Sequence, residues 1–168
     1  IMIGQRDLGS SLLFFALFVV MLWVATARTD YLLVALAVFA AGASAMYFLF
    51  DHVQTRVAIW IDPWSRYTGK GYQIAQSMFA LGSGGLTGTG LGLGDPTRIP
   101  EAKNDFIFAA IGEELGLFGA SAILIAFILI VGIGLRTAAR TDNVFEKLLA
   151  TGLTTIVGVQ AFIIVGGV

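Results

Sequence analysis

The chain has 168 residues, of which 57% are hydrophobic and 12% charged, with a net charge of -1 and a mean hydropathy of +0.87. Soluble domains carry about 25% charged residues, so this composition excludes a chain built to be surrounded by water, and the near-neutral charge argues against a nucleic-acid partner. There are no cysteines, which excludes disulfides and thiolate metal sites.

Four runs hold no Asp, Glu, Lys or Arg: residues 8–27 and 31–50, of 20 residues each, and residues 115–135 and 148–168, of 21 each. About 20 apolar residues, rising about 1.5 Å apiece, cross a hydrocarbon core about 30 Å thick. Each run therefore predicts a membrane-spanning helix. Four buried helices of a large soluble protein are the alternative, and four successive uncharged runs of this length weigh against it. The first run is not a signal peptide, because three spans follow it and no small-residue cleavage site is evident. The sequence starts at Ile1 and stops at Val168 inside an apolar run, so it reads as a window from a larger membrane protein. The expected fold class is an all-α polytopic membrane protein, with residues 1–168 forming part of one membrane domain.

The connections set the orientation. Arg28, Thr29 and Asp30 leave room only for a tight antiparallel pair of spans. Residues 136–147 form a second short connection, and residues 51–114 a long one of 64 residues. The two short connections hold four basic residues in 15 positions; the N-terminal flank and the long loop hold six in 71. Short cytoplasmic loops collect Lys and Arg, so the short connections are expected inside and the long loop outside.

The long loop has structure of its own. In DHVQTRVAIWIDPW, residues 51–64, Val53, Val57 and Trp60 follow helical spacing, which predicts either a continuation of the second span or a short interfacial helix. Trp60, Trp64, Tyr67 and Tyr72 cluster as aromatic residues do at headgroup level. Ile74, Met78 and Leu81 predict a second short helix, ended by Gly82. Residues 82–94, GSGGLTGTGLGLG, contain seven glycines in 13 positions. No strand precedes this run and no G-K-S/T ends it, so it is neither a dinucleotide fingerprint nor a P-loop. Two readings stand: the glycines let the backbone turn and lie against neighbouring helices, or their N–H groups also help hold a phosphate.

The ionisable residues gather at the outer ends of the spans. Asp105, in NDFIF, precedes a helical apolar pattern. It reads as a helix N-cap, or as a carboxylate facing a cavity at the membrane surface, where aromatic neighbours would make it a stronger base. Glu113 and Glu114 open the third span, where carboxylates are costly unless they face protein or water. At about 100° per residue, Glu113 lies nearer to the side of Asp105 than Glu114 does. Asp7, with Arg6 beside it, lies at the same membrane face, and His52 reads as an interfacial polar residue. A divalent cation such as Mg or Mn on oxygen ligands is a possible cofactor, although no ligand spacing identifies a metal site.

Five segments occur in a telling order: QRDLG at residues 5–9, IDPW at 61–64, GYQIAQS at 71–77, GSGGLTGTGLG at 82–92 and PEAKNDFIFAAIGEELG at 100–116. Together they resemble the SEDS family (shape, elongation, division, sporulation), which includes RodA, FtsW and SpoVE, and they look most like its actinobacterial RodA-like members. The resemblance covers almost the whole chain, and the last segment is the most specific. It implies a ten-helix fold, of which this chain supplies roughly the sixth to ninth helices and the large fourth extracellular loop. It implies a peptidoglycan glycosyltransferase that polymerises lipid II at the outer face of the bacterial cytoplasmic membrane. The products would be an undecaprenyl-linked glycan and free undecaprenyl diphosphate, and the partner a class B penicillin-binding protein. The family's essential aspartate falls on Asp105, and a second important one on Asp7. Arg6 stands where the family usually has proline. The other motif residues expected to meet substrate are Gln5, Arg6, Gln76, Ser77, Glu101, Lys103 and Glu113, and Arg98, outside the motifs, is a further candidate cation for the diphosphate. A lipid II flippase and a non-catalytic membrane scaffold are the competing readings. The absence of charged residues within the four runs argues against a transport path through them.

Overall fold

The computed structural model describes residues 8–69, 71–95, 99 and 105–167, and every element among them is helical. In chain order these are α1 (Leu8–Thr26), α2 (Asp30–Leu49), α3 (Asp51–Ile61), a 3-10 turn (Trp64–Arg66), α4 (Tyr72–Gly84), α5 (Ile107–Arg140) and α6 (Val144–Gly166). Helices α1, α2, α5 and α6 are long and apolar enough to cross a membrane. Their exposed faces carry large apolar side chains such as Phe14, Phe18, Leu36, Ile128 and Phe162. Such surfaces are stable in lipid, and the protein is a multi-pass membrane protein.

The chain divides into two compact units. One comprises the chain up to residue 41 with residues 125–163. In it α1 and α2 lie together through stacked Phe15 and Phe39 rings, 5.5 Å between centroids. Ala27 ends α1 with a left-handed φ of 53°, an unusual conformation for a residue with a side chain. Arg28 pairs with Asp30 at 3.1 Å in the exposed turn, where such a pair adds little stability. Small residues bring helices together here: a Cβ on Gly134 would strike Thr154, one on Gly158 would meet Val131, and one on Gly152 would meet Met21. Gly132 has nothing within 4 Å of a Cβ position.

The connection between α5 and α6 is shorter than the charge pattern suggests. Only residues 141–143 are non-helical, because both helices continue past their uncharged runs into sequence that is polar but still helix-forming. Asn143 caps α6, its Oδ1 accepting from the N–H groups of Phe145 at 2.9 Å and Glu146 at 3.4 Å.

The other unit holds residues 42–124 with the chain from 164 onward. Phe50 is extended (φ -130°, ψ 110°), so α3 is a helix separate from α2 rather than its continuation. Its buried residues are Val53 and Ile59, while Val57 and Trp60 face outward. Trp60 Nε1 donates to the Gly166 carbonyl at 3.2 Å. Asp62 organises the next turn by accepting from the N–H groups of Trp64 and Ser65. Helix α4 runs two residues beyond Gly82, to Gly84, and stops where Gly85 takes a φ of 54°. Gly84 itself is buried, and a Cβ there would strike the Gly112 carbonyl, so α4 crosses the start of α5 backbone to backbone.

Helix α5 is not continuous. At Gly116 the backbone leaves helical geometry, with φ 67° and ψ -168°. A break of this kind orphans the carbonyls before it and the N–H groups after it. The glycine run supplies partners for both. Thr89 and Gly90 N–H donate to the Glu113 and Glu114 carbonyls at 2.9 and 3.1 Å. The Leu117 and Phe118 N–H groups donate to the Gly85 and Leu86 carbonyls at 2.9 and 3.1 Å. Thr89 adds its hydroxyl, Oγ1 donating to the Glu113 carbonyl at 3.1 Å. Only glycine fits this splice at Gly88 and Gly116, both at positive φ, where a Cβ would collide with backbone of the opposite strand of the contact.

Gly116→Ala should therefore destabilise the protein by about 2 kcal/mol, combining backbone strain with the steric clash. Gly132→Ala, in open space within the same helix, should change stability by less than about 1 kcal/mol. Thermal unfolding in detergent or nanodiscs checks both; equal effects would mean that the splice does not depend on glycine at 116.

Candidate active site

The segment expected to carry the chemistry lies between the glycine run and α5. Asp105 occupies the turn immediately before Ile107, where α5 begins. Its neighbour Phe106 is buried in a cluster with Ile99, Ala80 and Ala109, against which Ile74 and Leu81 pack. This cluster ties the backbone on both sides of residues 100–104 to α4 and α5. Asp105 itself is exposed. Among the described residues no N–H donates to its carboxylate, and the first N–H groups to bond backward, those of Ala109 and Ala110, go to the Phe106 carbonyl. The arrangement holds the backbone at Asp105 firmly and leaves its oxygens available, the reverse of what an N-cap does.

Glu113 lies six residues into α5, about 9 Å along its axis from Ile107. It is half-buried and doubly held. Its carbonyl accepts from Thr89, and its side-chain Oε1 accepts from the Asp95 N–H at 3.4 Å. Gly94 lies on the two glutamates: a Cβ there would come to 2.9 Å from Glu114 Cγ and 3.3 Å from Glu113 Cδ. The two carboxylates thus sit beneath the end of the glycine run, on the polar side of the Gly116 break.

The other candidates fare differently. Ser77 is completely buried and its hydroxyl donates to the Ile74 carbonyl at 2.7 Å, so it packs α4 rather than facing an opening. Gln76 is half-buried, its Nε2 donating to the Tyr67 hydroxyl at 3.3 Å beside an aromatic group of Trp64, Tyr67, Tyr72 and Phe79. Gln5, Arg6, Asp7, Arg98, Glu101 and Lys103 lie outside the described residues. Among the described residues no three His, Asp or Glu side chains converge as metal ligands do.

The glycine run is chiefly architectural. The N–H groups of Gly85, Gly88, Thr89, Gly90, Leu93 and Asp95 all point at acceptors within the protein, which removes most of the donors that a phosphate cradle would need. Sequence reasoning does not single out Thr89, Gly94 or Asp95. Their roles arise from pairings across 18 to 24 residues, and the only local trace is a glycine two residues after a pair of glutamates at the head of a span.

Over residues 1–168 the chain matches the model of the FtsW, RodA and SpoVE family, described as a cell cycle protein. Similar curated relatives include the peptidoglycan glycosyltransferase RodA of Mycobacterium tuberculosis, 48% identical over 168 residues, with all of this chain and 36% of the relative covered. RodA of Mycobacterium leprae is 45% identical over the same length and with the same coverage. The probable peptidoglycan glycosyltransferase FtsW of Geobacter metallireducens is 38% identical over 171 residues, covering 99% of this chain and 45% of that protein. The chain thus spans little more than a third of the length of the mycobacterial relatives. The match over its whole length shows that the chain belongs to the FtsW, RodA and SpoVE family.

Proposed function

We propose that the protein containing this chain is a peptidoglycan glycosyltransferase that polymerises lipid II at the outer face of the bacterial cytoplasmic membrane. The observation that carries the reading is the Asp105 carboxylate, exposed and without a described hydrogen bond, on a backbone pinned by Phe106. Family membership supplies the reaction class, through relatives named as glycosyltransferases.

A sugar hydroxyl is a poor nucleophile at neutral pH, so a base must take its proton as it attacks an anomeric carbon. Asp105 fills that role. The new C–O bond forms as the bond from the anomeric carbon to the diphosphate oxygen breaks, and undecaprenyl diphosphate leaves. Its developing charge calls for cations, for which the sequence offers Arg6, Arg98 and Lys103. Asp7 and Gln5 complete the polar set contributed by the N-terminal flank, and Glu101 and Gln76 that of the long loop. A class B penicillin-binding protein is the partner that would cross-link the strands. A flippase would need charged groups along its path through the bilayer, and the four uncharged runs supply none.

Asp105→Ala and Asp105→Asn should each lower lipid II polymerisation by about 10²–10⁴-fold, the range for loss of a general base. The assay uses the full-length protein with its partner, after folding and complex formation are verified for each variant. Wild-type rates in both variants would remove Asp105 from the chemistry, and failure of the wild type to make glycan would favour transport or scaffolding.

The orientation has its own test. On a cysteine-free background, a membrane-impermeant maleimide should label Thr68→Cys in intact cells and Asp142→Cys only after permeabilisation. The opposite pattern would place the long loop in the cytoplasm.

A further inference from the structure

The arginines of the two short connections are not used alike. Arg28 pairs with Asp30 at 3.1 Å, and its guanidinium lies over the Tyr31 ring, 5.4 Å from the centroid. Arg136 and Arg140, in the last two turns of α5, are both exposed. Among the described residues neither makes an ion pair, a hydrogen bond or a ring contact. Asp142 and Glu146, the nearest acids along the chain, are exposed and pair with neither. Four residues apart, the two arginines stand on one side of the helix, about 6 Å from each other along its axis. At about 100° per residue, Leu129, Gly132 and Ile133 fall within the same arc, one to two turns before Arg136. Leu129 and Ile133 are exposed, and a Cβ on Gly132 would meet open space. Ala138, on the opposite side of the helix, is buried. One outward stripe of α5 thus carries two apolar side chains beside a notch, and then two cations that the described chain does not neutralise.

We propose that this stripe binds an anionic phospholipid: Arg136 and Arg140 hold the charged headgroup, and an acyl chain runs along Leu129 and Ile133 over the notch at Gly132. The guanidinium fork matches phosphate geometry and makes charge-assisted bonds with it. A phospholipid presents its phosphate immediately above its acyl chains, which is the order in which the stripe presents cations and apolar surface. A zwitterionic headgroup would bring its own cation beside two arginines, so an anionic one fits better. The collection of basic residues at one membrane face requires only a sum of charge. It does not require two unpaired arginines on the same stripe as an open notch. The inference is independent of the proposed reaction.

The experiment takes the full-length protein in detergent and measures by native mass spectrometry its affinity for dioleoyl phosphatidylglycerol and for dioleoyl phosphatidylcholine. A basic residue near an anionic lipid contributes about fivefold to affinity. Wild type should therefore bind phosphatidylglycerol at least about tenfold more tightly than phosphatidylcholine. Arg136→Gln and Arg140→Gln should each lose about fivefold for phosphatidylglycerol, and the double variant should lose the preference altogether. Arg28→Gln removes the same charge from an arginine already paired, and should stay within about twofold of wild type. Gly132→Leu, which fills the notch and leaves the charge alone, should weaken both lipids about equally. Three results would overturn the proposal. Wild type without a preference would mean that another segment of protein covers the stripe. Unchanged affinity in both single variants would take the arginines out of the site. An equal loss in Arg28→Gln would reduce the effect to bulk charge. Should the double variant fail to fold, the single variants decide in the same way.

Discussion

The folded shape of the long-loop unit depends on one exchange of hydrogen bonds. Helix α5 breaks at Gly116, and four backbone bonds from residues 85–90 repair the break. Unpaired backbone groups at the edge of a bilayer are expensive, because hydrocarbon offers no substitute partner. A broken span is therefore tolerated only where another segment of protein supplies the missing donors and acceptors. Here the repair also fixes the position of the repairing segment, so the glycine run is as firmly placed as the helices on either side of it. The described residues from Tyr72 to Phe118 then follow as one packed unit: α4 pressed on α5 at Gly84 and Gly112, the cluster of Ile99 and Phe106 beside them, and Asp105 at its rim.

This arrangement explains why small residues crowd around the proposed site. At Gly84, Gly88 and Gly116 a single extra carbon would collide with backbone atoms, which cannot rotate away as side-chain ends can. Close approach of main chains lets the polar groups of two segments satisfy one another without side chains in between. It also leaves side-chain positions open between the crossings, and Asp105, Glu113 and Glu114 occupy such positions.

Much of this was legible in the residues, and the part that was not has a physical reason. The four spans follow from uncharged runs of about 20 residues, because hydrocarbon thickness sets a length that composition alone can display. Helix ends were less visible: α5 runs to Arg140, since a helix can continue into the headgroup region once its apolar stretch has ended. The short helices of the long loop are encoded in their spacing, yet the inward face of α3 is set by Val53 and Ile59 rather than by the larger Trp60, because packing against neighbours overrides size. At the site, Asp105 stood out through the family's motif. Ser77 did not reveal its burial, because a serine with its hydroxyl turned onto its own helix looks the same in sequence as one facing a ligand. The break at Gly116 was hidden for a deeper reason: its partners lie about 30 positions earlier, and no local pattern records a pairing of that range.

That range carries a consequence for how the chain is made. Residues 85–90 emerge from the ribosome before Glu113 and Leu117, so the repairing segment already exists when the span that needs it arrives. The cost of closing a loop of this size grows only slowly with its length. An order of synthesis in which the splint precedes the fracture means that the broken span need never wait unpaired in the bilayer. Reversing that order, by circular permutation between α4 and α5, would ask the membrane to hold an unmended helix until its partner was translated.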